Sequence, residues 1–68
     1  MKIIITDGMG KETEKEINKN EISGVELLKQ LEINIFEAMI MKNGEIVNES
    51  AILTSSDRVK ILNVIHGG

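Results

Sequence analysis

Cysteine, tryptophan and tyrosine are absent from this 68-residue sequence, and Phe36 is its one phenylalanine. Without cysteine the chain can form no disulfide, no Cys-ligated zinc site and no thiol nucleophile. A single aromatic ring offers little surface on which nucleic-acid bases could stack, and the net charge of −3 provides no basic face. We therefore expect no thiol or redox chemistry and no nucleic-acid partner.

Long apolar runs are also missing. The run from Ile3 to Ile5 is too short for a signal peptide, and no stretch of the chain has the length needed to span a bilayer. A cytoplasmic protein with no membrane partner is the default expectation.

The chain is instead rich in aliphatic residues, with 41% hydrophobic residues and isoleucine prominent among them. β-Branched side chains fit a pleated sheet better than a helix. At this length the sequence predicts one small domain whose core lies mainly against a sheet.

The first half of the chain predicts two strands and one helix. Lys2 to Thr6 forms the first strand, and an Asp-Gly turn over residues 7–10 leads into a charged edge strand over residues 11–17. Residues 18–23 are expected to be a loop. Ser23 begins the helix, since Glu26 completes a capping box, and Val25, Leu27, Leu28 and Leu31 form one apolar stripe that ends near Glu32.

The second half predicts a hairpin and a final strand. Residues 35–47 form the hairpin, with Asn43-Gly44 as a type I′ turn. Residues 48–57 are irregular, with Leu53 inserted into the core, and residues 58–65 form the last strand. The expected fold class is α+β: a β-grasp (ubiquitin-like) mixed sheet of four to five strands with one main helix on one face. The domain covers residues 1–65, and residues 66–68 form a flexible diglycine tail.

Strand alternation predicts an apolar patch on the face of the sheet opposite the helix. Charged residues mark that outer face, whereas Phe36, Ala38, Ile40, Val59 and Ile61 are expected to point inward. A β-grasp sheet places the first, last and third strands side by side. The outward apolar residues then form one partner-docking patch: Ile4, Met39, Met41, Leu62 and Val64.

Three other constellations have plainer interpretations. Residues 8–11, Gly-Met-Gly-Lys, lack the spacing of a phosphate-binding loop and indicate a hairpin turn. Glu12, Glu14 and Glu16 share a strand face without a histidine and are interpreted as solvated charge, so no metal site is expected. His66 has no acidic neighbour in sequence that would support a general-base role.

The order of these features resembles the ubiquitin-like sulfur carriers, the ThiS and MoaD group with its archaeal small-modifier relatives. The likeness rests on the N-terminal strand, the helix SGVELLKQL, the turn KNGEIV and the closing segment SSDRVKILNVIHGG, and it covers the whole chain. The length and NGEIV are closer to the thiamine-type carriers. The charged second strand and the histidine before the glycines depart from the pattern.

The resemblance implies that the chain is a protein substrate rather than an enzyme and needs no cofactor of its own. An E1-like adenylating enzyme would use ATP to adenylate the Gly68 carboxylate. Sulfur transfer would then give a thiocarboxylate for a sulfur-accepting synthase in thiamine, molybdopterin or tRNA thiolation pathways. Gly67 and His66 would pass through the enzyme's cleft with it. Two alternatives stay open: a modifier joined through Gly68 to lysines of target proteins, and a plain β-grasp interaction domain.

Overall fold

A computed structural model describes residues 1–63 of the chain. The predicted domain boundary at residue 65 and the tail residues His66, Gly67 and Gly68 lie outside the described residues, as does Val64. The described part contains one α-helix, α1 (Gly24–Gln30), a 3-10 turn (Ile35–Glu37) and the following strands: β1 (Lys2–Thr6), β2 (Glu12–Glu16), β3 (Glu21–Ser23), β4 (Ala38–Lys42), β5 (Glu45–Val47), β6 (Ile52–Thr54) and β7 (Val59–Asn63). None of its helices is long and apolar enough to cross a membrane.

Five of the strands form a mixed sheet in the order β2-β1-β7-β4-β5. β1 and β7 run parallel, with Ile3 opposite Val59 and Ile5 opposite Ile61. The other pairs in this sheet are antiparallel. The β-grasp prediction is confirmed, including the placement of the first, last and hairpin strands side by side.

Two further strands were not predicted. β3 and β6 pair antiparallel through Ile22 and Leu53, and the backbone N–H of Ser55 donates to the Asn20 carbonyl at 2.9 Å. The expected loop over residues 18–23 and irregular segment over residues 48–57 are therefore wrong in part. Leu53 nevertheless lies fully buried in the core, as predicted.

The helix begins where the capping box placed it. The Ser23 hydroxyl accepts a hydrogen bond from the Glu26 N–H at 3.2 Å, and Leu31 is the C-cap residue. The two preceding amides are also satisfied, because Gly24 donates to the Ala51 carbonyl at 3.0 Å and Val25 to the Glu49 carbonyl at 2.8 Å. The start of α1 is thereby fixed against the segment that leads into β6.

The core lies between α1 and the inner face of the sheet and is entirely apolar. It contains no buried polar residue among residues 1–63 and comprises these side chains: Ile3, Ile17, Ile22, Leu27, Leu28, Ile40, Leu53, Val59 and Ile61. The inward direction predicted for Ile40, Val59 and Ile61 is confirmed, and Ala38 packs at the border of the core.

The predicted inward position of Phe36 is wrong. Phe36 was expected to point inward from a strand, but it lies in the 3-10 turn and is 92% exposed. The Asn34 side chain accepts a hydrogen bond from the Phe36 N–H at 2.8 Å, so the chain coils here instead of extending. Ile35 packs against the core in its place. The strand alternation starts at Ala38 and does not extend back to Phe36.

The β4–β5 turn is tied to the start of β7. Asn43 and Gly44 have φ of 53° and 89°, as the predicted type I′ turn requires. The Asn43 side chain accepts from the Arg58 N–H at 2.9 Å and donates to Asp57 Oδ1 at 3.0 Å. Asp57 Oδ2 also accepts from the Thr54 N–H at 2.8 Å, and these hydrogen bonds, with Lys42 nearby, hold the pKa of the Asp57 carboxyl below its ordinary value.

We expect Gly24→Ala to lower the free energy of unfolding by about 1–3 kcal/mol, the range for overpacking a filled site. A Cβ at this position would lie 2.5 Å from Ile40 Cδ1 and 2.7 Å from the Glu49 carbonyl oxygen. That oxygen cannot withdraw freely, because it accepts the Val25 N–H. Urea denaturation measures the effect. Gln30→Ala, an exposed change in the same helix, is the control and should stay within about 0.5 kcal/mol; equal stability of the two variants would contradict this packing.

We expect Asp57→Asn to lower stability at pH 7 and to flatten its dependence on pH in acid. The pKa of Asp57 is lower in the folded chain than the value of about 3.9 in the unfolded chain. The unfolded chain therefore takes up the proton first, and the stabilisation present above about pH 4 is lost as pH falls through the folded-state pKa. Urea midpoints of the wild type and the variant from pH 7 to pH 2.5 measure this loss of stability. Glu45→Gln, an exposed carboxylate, should follow the wild type, and parallel curves for wild type and Asp57→Asn would refute the assignment.

Candidate functional site

The outer side of the five-stranded sheet, which we call the open face, carries the residues that alternate with the core residues. β1 and β7 contribute polar and apolar side chains, β2 contributes only glutamates, and β4 and β5 contribute only apolar side chains. Its members are Lys2, Ile4, Thr6, Glu12, Glu14, Glu16, Met39, Met41, Ile46, Lys60 and Leu62. The predicted outward direction of Ile4, Met39, Met41 and Leu62 is confirmed.

Strand register brings some of the predicted patch residues together and separates another. Leu62 lies directly opposite Met39, and Met41 lies opposite Ile46 on β5. These four residues form what we call the apolar patch. Met39 is 42% exposed and Ile46 is 63% exposed. Ile46 was missed, although a two-residue turn at Asn43-Gly44 would have paired it with Met41.

Ile4 is separated from the apolar patch by charge. Across the strands, Ile4 lies between Glu14 on β2 and Lys60 on β7. Lys60 in turn lies between Ile4 and Met41 on β4. The Lys60 ammonium reaches Glu12 at 3.2 Å, and the Lys2 ammonium reaches Glu14 at 3.1 Å. Charged groups therefore surround Ile4. The open face divides into a charged half, formed by β1, β2 and Lys60 of β7, and an apolar half, formed by Leu62 of β7 with β4 and β5.

The three glutamates of β2 are each paired with a cation. Besides the two lysine pairs, Glu16 Oε2 accepts from the Met1 ammonium at 2.9 Å. That hydrogen bond and the charge of the amino terminus lower the pKa of Glu16. Within residues 1–63 no group of histidine, aspartate and glutamate is arranged to hold a metal ion. The carboxylates serve as ion-pair partners on the charged half of the open face.

The turn after β1 is a hairpin turn, as predicted, and its geometry does not suit phosphate. The Asp7 side chain accepts from the N–H groups of Met9 and Lys11, both at 2.9 Å, and the Asp7 carbonyl accepts from Gly10 at 3.0 Å. A phosphate loop keeps such N–H groups free for the anion. Here a carboxylate of the chain itself occupies them.

One groove formed by the described residues lies away from the end of β7. Its volume is about 610 Å³, and Ile4, Met41, Arg58 and Lys60 are among the residues along its walls. It opens beside the residues that begin β7. Because β7 runs towards the opposite edge of the sheet, this groove is remote from the point where the chain continues to residues 64–68.

The opposite end of the strands, which we call the C-terminal edge, is where β1 and β7 end and β4 begins. Thr6 lies opposite Leu62, and Asn63 lies opposite Ala38. The chain thus continues beyond Asn63 from the middle strand of the sheet, with β1 on one side and β4 on the other. Of the predicted site residues, Val64, His66, Gly67 and Gly68 follow this point.

The helix on one side of a five-stranded mixed sheet and the parallel central pair of strands define a ubiquitin-like β-grasp protein. The model of the ThiS family matches residues 5–68, and the chain belongs to this family of sulfur carriers, which are small carrier proteins rather than enzymes. The crystal structure of a thiamine biosynthesis protein (ThiS) from Geobacter metallireducens is similar, with 20% identity, a TM-score of 0.61 and complete coverage of both chains. No curated protein sequence matches the chain.

Proposed function

We propose that this sulfur carrier is activated at the Gly68 carboxylate by an ATP-dependent, E1-like adenylating enzyme and then carries sulfur as a thiocarboxylate. The observation that supports this most is the family match, which extends through Gly68. The sheet topology adds that the chain continues towards Gly68 from a central strand, whose neighbours hold it on both sides.

The proposed chemistry uses the carboxylate and no side chain of the carrier. A carboxylate oxygen attacks the α-phosphorus of ATP, pyrophosphate leaves, and an acyl-adenylate forms. Hydrosulfide then attacks the acyl carbon, the bond to the AMP oxygen breaks, and a thiocarboxylate and AMP result. If a persulfide delivers the sulfur, a thiol must afterwards reduce the S–S bond. The enzyme supplies the alignment of the reacting atoms.

Gly67 and Gly68 suit passage through a narrow cleft because neither has a Cβ. His66 would enter the same cleft just before them. The carrier's contribution in this scheme is an unhindered carboxylate on a segment that the folded domain presents from its sheet edge.

We further propose that the apolar patch docks the adenylating enzyme and then the sulfur-accepting synthase. Met39, Met41, Leu62 and Ile46 are adjacent and exposed to different degrees, and methionine adapts to more than one partner surface. Val64 was predicted for the same patch and follows Leu62 by two residues. Ile4 contributes less than predicted in this proposal, because charged groups surround it.

Thiamine synthesis is the favoured pathway in this proposal, with a thiazole-forming synthase as the acceptor. The support is the thiamine biosynthesis protein to which the chain is structurally similar. Molybdopterin synthesis and tRNA thiolation use the same terminal chemistry and are distinguished by the acceptor that reacts with the loaded carrier.

We expect an alanine added after Gly68 to abolish thiocarboxylate formation, since the reactive carboxylate moves one residue further and gains a methyl side chain. Mass spectrometry of the chain after incubation with adenylating enzyme, ATP and a sulfur donor measures the exchange of one oxygen for sulfur. The urea midpoint of the extended chain should equal that of the wild type. Normal product from the extended chain would refute activation at Gly68, and isopeptide-linked species of higher mass would favour the modifier alternative.

We expect Met41→Asp and Leu62→Asp each to raise the KM of the adenylating enzyme for the carrier by about tenfold or more, the effect of losing an interface residue worth over 1 kcal/mol. Pyrophosphate release at varied carrier concentration measures it. Ile52→Asp is the matched control, because Ile52 is also apolar and exposed but lies on the β3–β6 ladder. If all three variants behave alike, the apolar patch is not the docking surface.

A further inference from the structure

Two exposed apolar side chains lie on turns at the C-terminal edge, one on each side of β7. Met9 follows β1 and is 94% exposed, and Phe36 precedes β4 and is 92% exposed. β1 is parallel to β7, so the turn after β1 is at the edge where β7 ends. β4 is antiparallel to β7, and Ala38 opposes Asn63, so the turn before β4 is at the same edge.

The same kind of side-chain hydrogen bond closes both turns. The Asp7 carboxylate accepts the Met9 N–H at 2.9 Å, and the Asn34 amide oxygen accepts the Phe36 N–H at 2.8 Å. Each turn is closed further by a backbone bond, from Gly10 to the Asp7 carbonyl and from Glu37 to the Asn34 carbonyl. Preorganised turns lose little conformational entropy when a partner covers them.

The length of the chain beyond Asn63 decides what must come close to these turns. Gly68 follows Asn63 by five residues, which span at most about 18 Å even when fully extended. Neighbouring strands are about 4.8 Å apart, so β1 and β4, to which the two turns are attached, lie roughly 10 Å from each other on either side of β7. A protein that encloses the Gly68 carboxylate in a cleft therefore brings the mouth of that cleft against the C-terminal edge.

Buried side-chain polar atoms without a hydrogen bond among residues 1–63 also lie at the C-terminal edge. Within residues 1–63, the buried side-chain atoms without a hydrogen bond are Thr6 Oγ1 and Asn63 Oδ1, which belong to the last residues of β1 and β7. Buried polar atoms are ordinarily paired. The Leu62–Met39 pair of the apolar patch lies next to this edge, with Thr6 of β1 on the other side of Leu62.

We propose that Met9 and Phe36 are contact residues for the adenylating enzyme and insert into apolar depressions on either side of the mouth of its nucleotide cleft. The inference rests on the proposed activation at Gly68 and adds to it a second docking element besides the apolar patch. The two side chains fix the direction in which the chain enters the cleft. Their contribution is to binding, since the proposed chemistry uses the Gly68 carboxylate and no side chain of the carrier.

The test is carrier-dependent ATP–pyrophosphate exchange by the adenylating enzyme, with the wild type, Phe36→Ser, Met9→Ser and the double variant. We expect KM for the carrier to rise by about tenfold in each single variant and further in the double variant, with kcat within twofold of the wild type. Ile52→Ser is the control for loss of an exposed apolar side chain and should leave KM unchanged. Circular dichroism and urea midpoints should be the same for all variants, because the replaced side chains are exposed.

Three results would overturn the inference. An unchanged KM in the double variant, with normal exchange by the wild type, would refute the contacts while leaving activation at Gly68 in place. No exchange with the wild type would refute the proposed activation and the inference together. Wild-type self-association in sedimentation velocity that the double variant abolishes, with KM unchanged, would assign Met9 and Phe36 to contact with a second copy of the chain.

Discussion

The parallel pairing of β1 with β7 is the interaction on which the rest of the structure depends. It joins Ile3 to Val59 and Ile5 to Ile61 across most of the sequence, so the loop that it closes contains nearly every other element. Closing so long a loop costs conformational entropy that hydrophobic burial must offset. The core of α1, Leu53 and these strands supplies the burial. The same pairing places the end of β7 in the middle of the sheet, which is why the chain beyond Asn63 leaves from between two neighbouring strands.

The composition of the open face follows from that of the inner face. Side chains alternate along each strand, so the residues that do not point into the core lie on the open face. β2 is an edge strand with every residue exposed, and its charged side chains discourage pairing with another chain. The ion pairs of Lys2 and Lys60 with this strand are exposed, and such pairs contribute at most about 1 kcal/mol each. Their larger effect is to make the β1–β2 half of the open face polar. Apart from Ile4, the apolar side chains of the open face thereby lie on β7, β4 and β5.

The sequence predicts the features that local chemistry determines. Ser23 and Glu26 mark the helix start, Asn43-Gly44 marks the turn, and alternation assigns Val59 and Lys60 to opposite faces. It does not predict β3 and β6, because a three-residue strand is too short to show alternation and the two strands are defined only by pairing with each other. The position of Ile46 in the apolar patch was predictable, because a two-residue turn at Asn43-Gly44 places it opposite Met41. Residues 64–68, on which the proposed chemistry rests, lie outside the described residues.

Phe36 shows why the failed prediction is informative. Alternation assigned it to the core together with Ala38 and Ile40, and hydrophobicity agreed with that assignment. The Asn34 side chain overrides both by hydrogen-bonding the Phe36 N–H, and Ile35 takes the place in the core. A sequence selected for stability alone would have little reason to leave its one phenylalanine in water, since burying such a side chain is worth about 1.5–3 kcal/mol. Departures of this kind are expected where a protein binds another molecule, because the same surface must serve the complex as well as the fold.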